Sequence, residues 1–294
     1  MFEIPEYQTF ARQMNESLPG KRIASGSLGN SPHKFVWYNR TPAEFAALTA
    51  SKKLGKASTR GRWLFVEVLP GYLLVFGECG GKILLHEKGS KLPPKYHLLL
   101  QFEDGSALSA TTQMWGAMEL YENGKEQERQ YIKGMRPTPV DPEFTPGYLA
   151  RLVQECVTEG SRSVKGLLTQ DQLVPGLGNS IAQDIMFTAG LHPRQPIAEL
   201  ASAQVKKLHQ AIVRTVAAAI RSGGRNDEID LHGNPGGYRR ILDRNSAGHG
   251  CPECGTRIEK MSYLGGASYY CPSCQAMEER RSRRVPGPVG RSRK

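Results

Sequence analysis

The chain has 294 residues, of which 39% are hydrophobic, and its net charge at pH 7 is +11. A chain of this length and apolar content buries a sizeable core and has room for two domains. The excess of 39 Lys and Arg over 28 Asp and Glu favours a polyanionic partner, without distinguishing DNA from RNA or a membrane surface. No run approaches the roughly 20 apolar residues of a membrane helix, and Met1–Ala11 carries acids where a signal peptide would be apolar. The sequence therefore predicts a cytoplasmic protein, associated with the nucleoid if its source is bacterial.

The first half of the chain predicts a helix followed by a β-rich domain, together spanning residues 1–136. Apolar residues recur at helical spacing up to Pro19-Gly20, at Tyr7, Phe10, Ala11, Met14 and Leu18. Two apolar runs flank Pro70-Gly71, and two more flank Asp104-Gly105, so each pair predicts a β-hairpin. Hairpins in this number indicate a β-sandwich behind the N-terminal helix.

The pattern becomes helical after the proline-rich stretch 137–142, which begins a second predicted domain over residues 137–240. Four segments have helical character, at 148–157, 164–169, 180–189 and 202–221. A glycine-rich segment, Gly223–Tyr238, follows them and carries no readable pattern. The fold class predicted is therefore a multidomain α+β protein.

Four cysteines predict a zinc site in a third unit, residues 241–276. Cys251 and Cys254 form one C-x-x-C pair, Cys271 and Cys274 form another, and 16 residues separate the pairs. Two residues between thiolates let both sulfurs reach one tetrahedral Zn²⁺, and the interval fits a β-hairpin. Four sulfur ligands leave no open position, so one structural zinc is expected.

Two other features of the C-terminal region carry positive charge. Arg257 lies beside the second cysteine and is a candidate phosphate contact. From Glu278 to Lys294 the chain has seven basic and two acidic residues, a net of +5, which leaves +6 on the rest. The composition of residues 277–294 predicts a disordered basic tail.

A glycine turn precedes the third predicted helix. In Val174–Asn179, Gly178 permits close backbone approach, and a helix N-terminus offers free N–H groups to an anion. Asn179 can add a side-chain donor, and Lys165 on the preceding short helix can add a charge. The turn by itself is equally compatible with an ordinary helix cap.

Taken together, these motifs resemble the formamidopyrimidine-DNA glycosylase / endonuclease VIII family. The resemblance covers roughly residues 1–275 and rests on Glu3-Ile4-Pro5-Glu6, on 163–193, on Asn234–Tyr238 and on the cysteine pairs. It implies a helix–two-turn–helix domain in which Lys165 and Asn179 hold phosphate, and a finger that enters the minor groove. It also makes Arg62 and Tyr238 candidate DNA contacts. It also implies a monomer that binds damaged double-stranded DNA and flips a base out of the duplex.

The chain departs from the family at positions that carry chemistry. Phe2 stands where the family has the N-terminal proline that serves as amine nucleophile, so the free amine belongs to Met1. Arg62 stands in place of a lysine, and Gly266 in place of the finger-tip arginine. Met114 and Trp115 replace an arginine–phenylalanine pair in the intercalating segment; either can act as an apolar wedge, although Trp115 is equally compatible with a core position.

Four groups are candidates for catalysis: Glu3, Glu6, Glu78 and the amine of Met1. The leading hypothesis is a DNA glycosylase in which Glu3 acts on the sugar or on water, without the usual proline Schiff-base chemistry and with doubtful strand cleavage. The alternative is a catalytically silent protein that binds damaged or distorted DNA. An RNA-binding zinc-ribbon protein is a third, weaker hypothesis. The sequence does not identify the lesion.

Overall fold

A computed structural model of the protein describes residues 1–30, 34–160 and 162–277. The segment from Glu278 to Lys294, where the basic tail was predicted, lies outside the described residues.

Helix α1, Ile4–Ser17, lies between the two halves of the molecule. It begins with a capping box, in which the Glu3 backbone N–H donates to the Glu6 side chain at 2.8 Å. Phe2, Tyr7 and Phe10 are buried in the core of the β-domain, whereas Ile4 is buried in the helical core. The helix predicted from apolar spacing is confirmed, and it belongs to both cores.

The β-domain is a sandwich of two sheets with helix α2, Pro42–Thr49, at one end. One sheet has the order β2-β9-β5-β4-β3 and the other β1-β7-β8-β6. The strands are β1 Ile23–Leu28, β2 Val36–Trp37, β3 Lys53–Arg60, β4 Trp63–Leu69, β5 Tyr72–Gly77, β6 Gly81–His86, β7 Leu98–Phe102, β8 Ala107–Thr112 and β9 Gly116–Glu122. The two predicted hairpins are confirmed as β4–β5 and β7–β8.

The second half is helical. A short helix α3, Gln130–Lys133, leads to α4 Pro146–Glu159, α5 Val164–Thr169, α6 Asn179–Ala189 and α7 Ser202–Arg221. The last four agree with the predicted segments to within two residues at each end. Their apolar faces form the second core together with Ile4. Among the described helices, none is long and apolar enough to cross a membrane.

The C-terminal ribbon is a hairpin of β10, Glu259–Tyr263, and β11, Gly266–Tyr270, between the two cysteine pairs. It has a small core of its own that also includes Phe187 from α6 and Leu242. The boundaries predicted at 136 and 240 remain predictions, since the structure gives no sharp division: Leu231 packs into the core of the β-domain.

The environment of Phe2 makes a stability prediction. Its side chain is fully buried and contacts the Phe10 ring edge-on at a centroid distance of 4.9 Å. Phe2→Ala removes this packing and leaves a cavity, so we expect a loss of about 3–5 kcal/mol in the free energy of unfolding. Urea denaturation measures it. Tyr131→Ala, at a side chain that is 70% exposed, serves as the control. Equal effects of the two substitutions would contradict the assignment of Phe2 to the core.

Candidate active site and nucleic-acid interface

The four cysteine sulfurs converge on one point. Their Sγ atoms all lie within 4.8 Å of one another, and three pairs are 3.4, 3.5 and 3.8 Å apart. Tetrahedral Zn²⁺ with Zn–S bonds of about 2.3 Å places its ligands about 3.8 Å from each other. Cys251, Cys254, Cys271 and Cys274 therefore fit one structural zinc, as the spacing predicted.

The ribbon is docked against the N-terminus of α6. The side-chain amides of Asn179 and Gln183 both donate to the Ala267 carbonyl at 3.1 Å, and the Tyr269 N–H donates to Gln183 at 2.7 Å. The glycine turn and the metal-held hairpin, which are about 90 residues apart in sequence, thus meet on the same side of the molecule. Asn179 itself remains exposed beside this junction.

Lys165 does not have the environment that the sequence predicted. Its side chain is buried, and its Nζ donates to the Tyr263 carbonyl at 2.6 Å and to the Gly266 carbonyl at 3.2 Å. Burial lowers the pKa of Lys165 to about 8. The ammonium therefore supports the turn of the ribbon, which favours this internal role over the phosphate contact expected of Lys165. The carbonyl of Gly266 is one of its acceptors.

The anion at the N-terminus of α6 is a residue of this chain. The Glu3 carboxylate accepts hydrogen bonds from the backbone N–H groups of Gly178 at 2.9 Å, Ser180 at 3.0 Å and Ile181 at 3.2 Å. A Cβ on residue 178 would lie 2.7 Å from the Glu3 carboxyl carbon, so glycine is required there. The N–H of Gly178 is thus used within the protein, which corrects its predicted role in DNA binding.

Glu6 belongs to a buried ion-pair network. Its carboxylate lies 2.8 Å from Arg225 Nη2 and also accepts from the Arg225 backbone N–H at 2.8 Å. Arg225 Nη1 is 3.6 Å from the Glu3 carboxylate. Both carboxylates and the guanidinium are almost fully buried, so each charge depends on the others for compensation. This arrangement favours a structural role for Glu6 over the catalytic one that the sequence suggested.

The amine of Met1 lies at the edge of this network. Its nitrogen is 3.4 Å from Glu228 Oε1, and its carbonyl accepts from Arg225 Nη2 at 2.9 Å. A Cβ on Gly80 would lie 3.0 Å from the nitrogen and 2.7 Å from the Met1 Cα, so a glycine makes room for the chain terminus. The Met1 residue is 38% exposed. The amine is therefore held in place at the surface.

A cavity of about 630 Å³ opens beside Met1. Arg62 and Glu78 face each other in its wall at 2.8 Å, and Arg62 Nη1 contacts the Met1 sulfur at 3.1 Å. Burial raises the pKa of Glu78, while the Arg62 guanidinium acts in the opposite direction. Glu78 has φ +52°, a conformation that non-glycine residues rarely adopt and that is enriched at functional sites. The structure thus places Arg62 and Glu78 in the same cavity as Met1.

Exposed aromatic side chains form another wall of the cavity. Trp115 is 40% exposed and stacks with Trp37 at an interplanar angle of 5° and a centroid distance of 6.0 Å. Met114, at 58% exposed, projects further. Neither Met114 nor Trp115 is a core residue, so the exposure favours the wedge over the core alternative for Trp115.

The last two predicted DNA contacts differ in their surroundings. Tyr238 is half-buried, and its hydroxyl donates to Asp184 at 2.8 Å, which corrects its role from a DNA contact to a support of the loop before the ribbon. The Asp184 carboxylate also accepts from the backbone of Ile241 and Leu242, each at 2.9 Å. Arg257 is exposed on the ribbon, and its phosphate contact remains a prediction.

Two central residues were not anticipated. Arg225 and Glu228 lie in the glycine-rich segment after α7, which carried no pattern that the sequence analysis could use. The available signal was a cluster of three charged residues, Arg225, Asp227 and Glu228, within a segment that is otherwise rich in glycine. Charges in such a segment indicate a functional loop only once their partners, Glu6 and Met1, are known.

The cysteine cluster predicts a metal-dependent ribbon. Cys254→Ser should release the zinc and unfold the hairpin, because metal binding supplies the folding free energy of such small units. Zinc content measured by atomic absorption tests this. Cys156→Ser, at a buried cysteine outside the cluster, should keep one zinc per chain. Stoichiometric zinc in the Cys254 variant would reject the four-thiolate site.

Comparisons with known proteins agree with this architecture. The formamidopyrimidine-DNA glycosylase N-terminal domain model matches residues 1–117, and the H2TH (helix–two-turn–helix) domain model matches residues 135–229. A formamidopyrimidine-DNA glycosylase of Symbiobacterium thermophilum is 30% identical over 302 residues, covering 99% of this chain and 96% of that protein. One of Bacillus cereus is 27% identical over 279 residues, covering 94% of this chain and 99% of its own length.

The fold is also that of solved structures. The complex between the Lactococcus lactis Fpg and an abasic-site-containing DNA superimposes with a TM-score of 0.81 at 23% identity, covering 93% of this chain and 99% of that one. Two domain models match in order along most of the chain, and a 30% identical relative aligns over nearly its full length. The chain therefore belongs to the formamidopyrimidine-DNA glycosylase family.

Proposed function

We propose that the protein is a DNA-repair glycosylase that excises a damaged base from double-stranded DNA, with the α-amine of Met1 as the nucleophile. The observation that carries this proposal is the placement of the amine: Arg225 holds the Met1 carbonyl and Glu228 contacts the Met1 nitrogen, at the cavity that also contains Arg62 and Trp115. The relatives named above are glycosylases of this kind, and the solved neighbours hold abasic or Fapy-dG DNA.

The geometry favours the Met1 amine over the Glu3 carboxylate as the group that reacts with the sugar. Both oxygens of Glu3 accept backbone hydrogen bonds, and the residue is 3% exposed, so the carboxylate has little capacity left to activate water. α-Amino groups ionise nearer to neutrality than lysine side chains, and the deprotonated form attacks carbon. Attack of the neutral amine on C1′ breaks the N-glycosidic bond, and the base leaves with the bonding electrons and takes one proton from the attacking nitrogen. A proton from solvent then goes to O4′ as the C1′–O4′ bond breaks, and ring opening gives an iminium linked to Met1.

The interface for DNA is built from the junction of α6 and the ribbon. Asn179 and Arg257 are exposed on these two segments, and the body of the protein is basic, so phosphate contacts there hold the duplex. Trp115 lines the cavity with Met1, Met114 is the exposed residue before it, and both fill the base stack when a nucleotide is extruded. The zinc ribbon contributes position only, since all four metal ligands are protein sulfurs.

The decisive experiment incubates the protein with duplex oligonucleotides that carry oxidised, alkylated or abasic sites, with and without borohydride. We expect release of a damaged base and a borohydride-stable adduct at the N-terminal residue, located by peptide mass spectrometry. A variant with two glycines added before Met1 moves the amine by several ångströms and should lose the adduct while keeping its affinity for DNA. An adduct elsewhere in the chain would exclude the amine of Met1.

A second function, binding of damaged DNA without chemistry, has one observation in its favour. Phe2 is locked in the core, so the amine sits one residue before the position that the family's proline occupies. Absence of base release and of adduct on every substrate, together with tight binding to a lesion duplex, would establish this alternative. Tighter binding to single-stranded RNA than to any duplex would instead support an RNA-binding protein.

The internal role of Lys165 makes a prediction about salt dependence. Lys165→Met should leave the slope of log K against log[salt] unchanged, because the ammonium faces ribbon carbonyls. Arg257→Ala should lower that slope by roughly one unit, as expected for an exposed phosphate contact. Fluorescence anisotropy over a salt series measures both. Hydrogen exchange at residues 263–267 should become faster in Lys165→Met; a reduced slope in this variant would restore the phosphate role.

A further inference from the structure

Glu228 lies in a segment that no sequence motif identified as functional. It lies in the glycine-rich segment after α7, and its Oε1 is 3.4 Å from the Met1 nitrogen and 3.4 Å from Arg225 Nη2. Its side chain is 17% exposed. Its carboxylate is therefore the group that contacts the amine, and it does so from a position only partly accessible to water.

The other acids near the amine have partners of their own. The Glu3 carboxylate accepts from the N-terminus of α6, and the Glu6 carboxylate accepts from Arg225 and from the Glu3 N–H. Glu78, in the wall of the same cavity, pairs with Arg62 at 2.8 Å. Within the described part of the chain, the one other interaction of the Glu228 carboxylate is the 3.4 Å contact with Arg225. It thus retains the lone pairs that a proton acceptor needs.

The charges around Glu228 come from three parts of the chain. Arg225 and Asp227 belong to its own segment, Glu6 belongs to α1, and the ammonium belongs to Met1. Burial raises the pKa of Glu228, Arg225 and the ammonium act in the opposite direction, and Glu6 and Asp227 add to the rise. A carboxylate whose pKa is raised toward neutrality is a better proton acceptor for an ammonium.

We propose that Glu228 is a catalytic residue that takes the proton from the Met1 ammonium and delivers it to the leaving group. This inference rests on the proposed function, because it requires the amine of Met1 to be the nucleophile. Arg225 is a positioning residue in this scheme: it holds the Met1 carbonyl and the Glu228 carboxylate through one Nη2 atom.

Protons are conserved when the amine reacts with the aldehyde of an abasic site. The ammonium gives one proton to Glu228, and the nitrogen lone pair attacks the C1′ aldehyde carbon. The carbonyl oxygen takes the proton from Glu228, which gives a protonated carbinolamine. A second proton passes from nitrogen through Glu228 to the hydroxyl, and water leaves to form the iminium. The net reaction converts ammonium and aldehyde into iminium and water, and Glu228 ends as it began.

The test is the pH dependence of borohydride trapping on abasic duplex DNA with Glu228→Gln. We expect the initial trapping rate to fall roughly 100-fold at about pH 6.5 and to approach the wild-type rate at about pH 9, where hydroxide in solution replaces the carboxylate as proton acceptor. Glu228→Asp, which keeps the carboxylate on a shorter side chain, should recover part of the rate. Asp227→Asn is the matched control: it removes a neighbouring charge that pairs with Arg240 but leaves the proton acceptor in place, so the rate at about pH 6.5 should change far less than in Glu228→Gln.

Two outcomes would overturn the inference. If Glu228 only stabilises the ammonium as an ion pair, its removal favours the neutral amine, and trapping at about pH 6.5 would rise. A rate reduced by the same factor at every pH would mark a structural effect, as would a loss of lesion-DNA affinity or of thermal stability in Glu228→Gln.

Failure of the proposed function gives a different result. In that case the wild-type protein itself forms no adduct. If the wild-type protein forms the adduct and Glu228→Gln has the same pH profile, the role of Glu228 alone is rejected.

Discussion

The structure depends on one interaction, the Glu3 carboxylate at the N-terminus of α6. The first N–H groups of a helix have no partner within the helix and carry partial positive charge, so a buried helix start requires hydrogen-bond acceptors and favours an anion. Glu3 supplies it and accepts three backbone hydrogen bonds from residues 178–181. The first residues of the chain are thereby tied to the helical domain, while Phe2 is buried in the β-domain. Met1 has no freedom to lie anywhere but at the junction of the two.

Arg225 extends the same constraint to the segment after α7. A buried guanidinium is stable only with compensating acids, and its removal from a buried pair commonly costs about 3–5 kcal/mol. Glu6 provides the closest partner, and Glu3 and Glu228 complete the set. This places an irregular glycine-rich segment next to the chain terminus. The site therefore places Met1 next to Glu228, and the chemistry proposed for it requires both residues.

The ribbon is positioned by a comparable use of buried polar groups. Lys165, Asn179 and Gln183 all donate to carbonyls of the hairpin, and the zinc site holds the base of that hairpin. The N-terminus of α6 and the ribbon, which are both expected to contact DNA, thus have a fixed relative orientation before any ligand binds. Preorganisation of this kind lowers the entropy lost on binding. The architecture is that of the formamidopyrimidine-DNA glycosylase family, to which the chain belongs.

The sequence by itself determined the elements that depend on local pattern. Apolar periodicity predicted α1 and α4–α7, turn residues predicted two hairpins, and cysteine spacing predicted the zinc ribbon, because each signal lies within a few residues or one repeated interval. It missed α2, which is only 8 residues long, and strands such as β3 whose polar residues hide the alternation. Only the tertiary structure decided what each polar group faces. Lys165 and Gly178 looked like phosphate ligands, yet their partners are ribbon carbonyls and Glu3, and Glu228 reaches Met1 across 227 positions. The charge and hydrogen-bonding capacity of each side chain follow from its residue type, but burial and long-range packing determine which partner satisfies them.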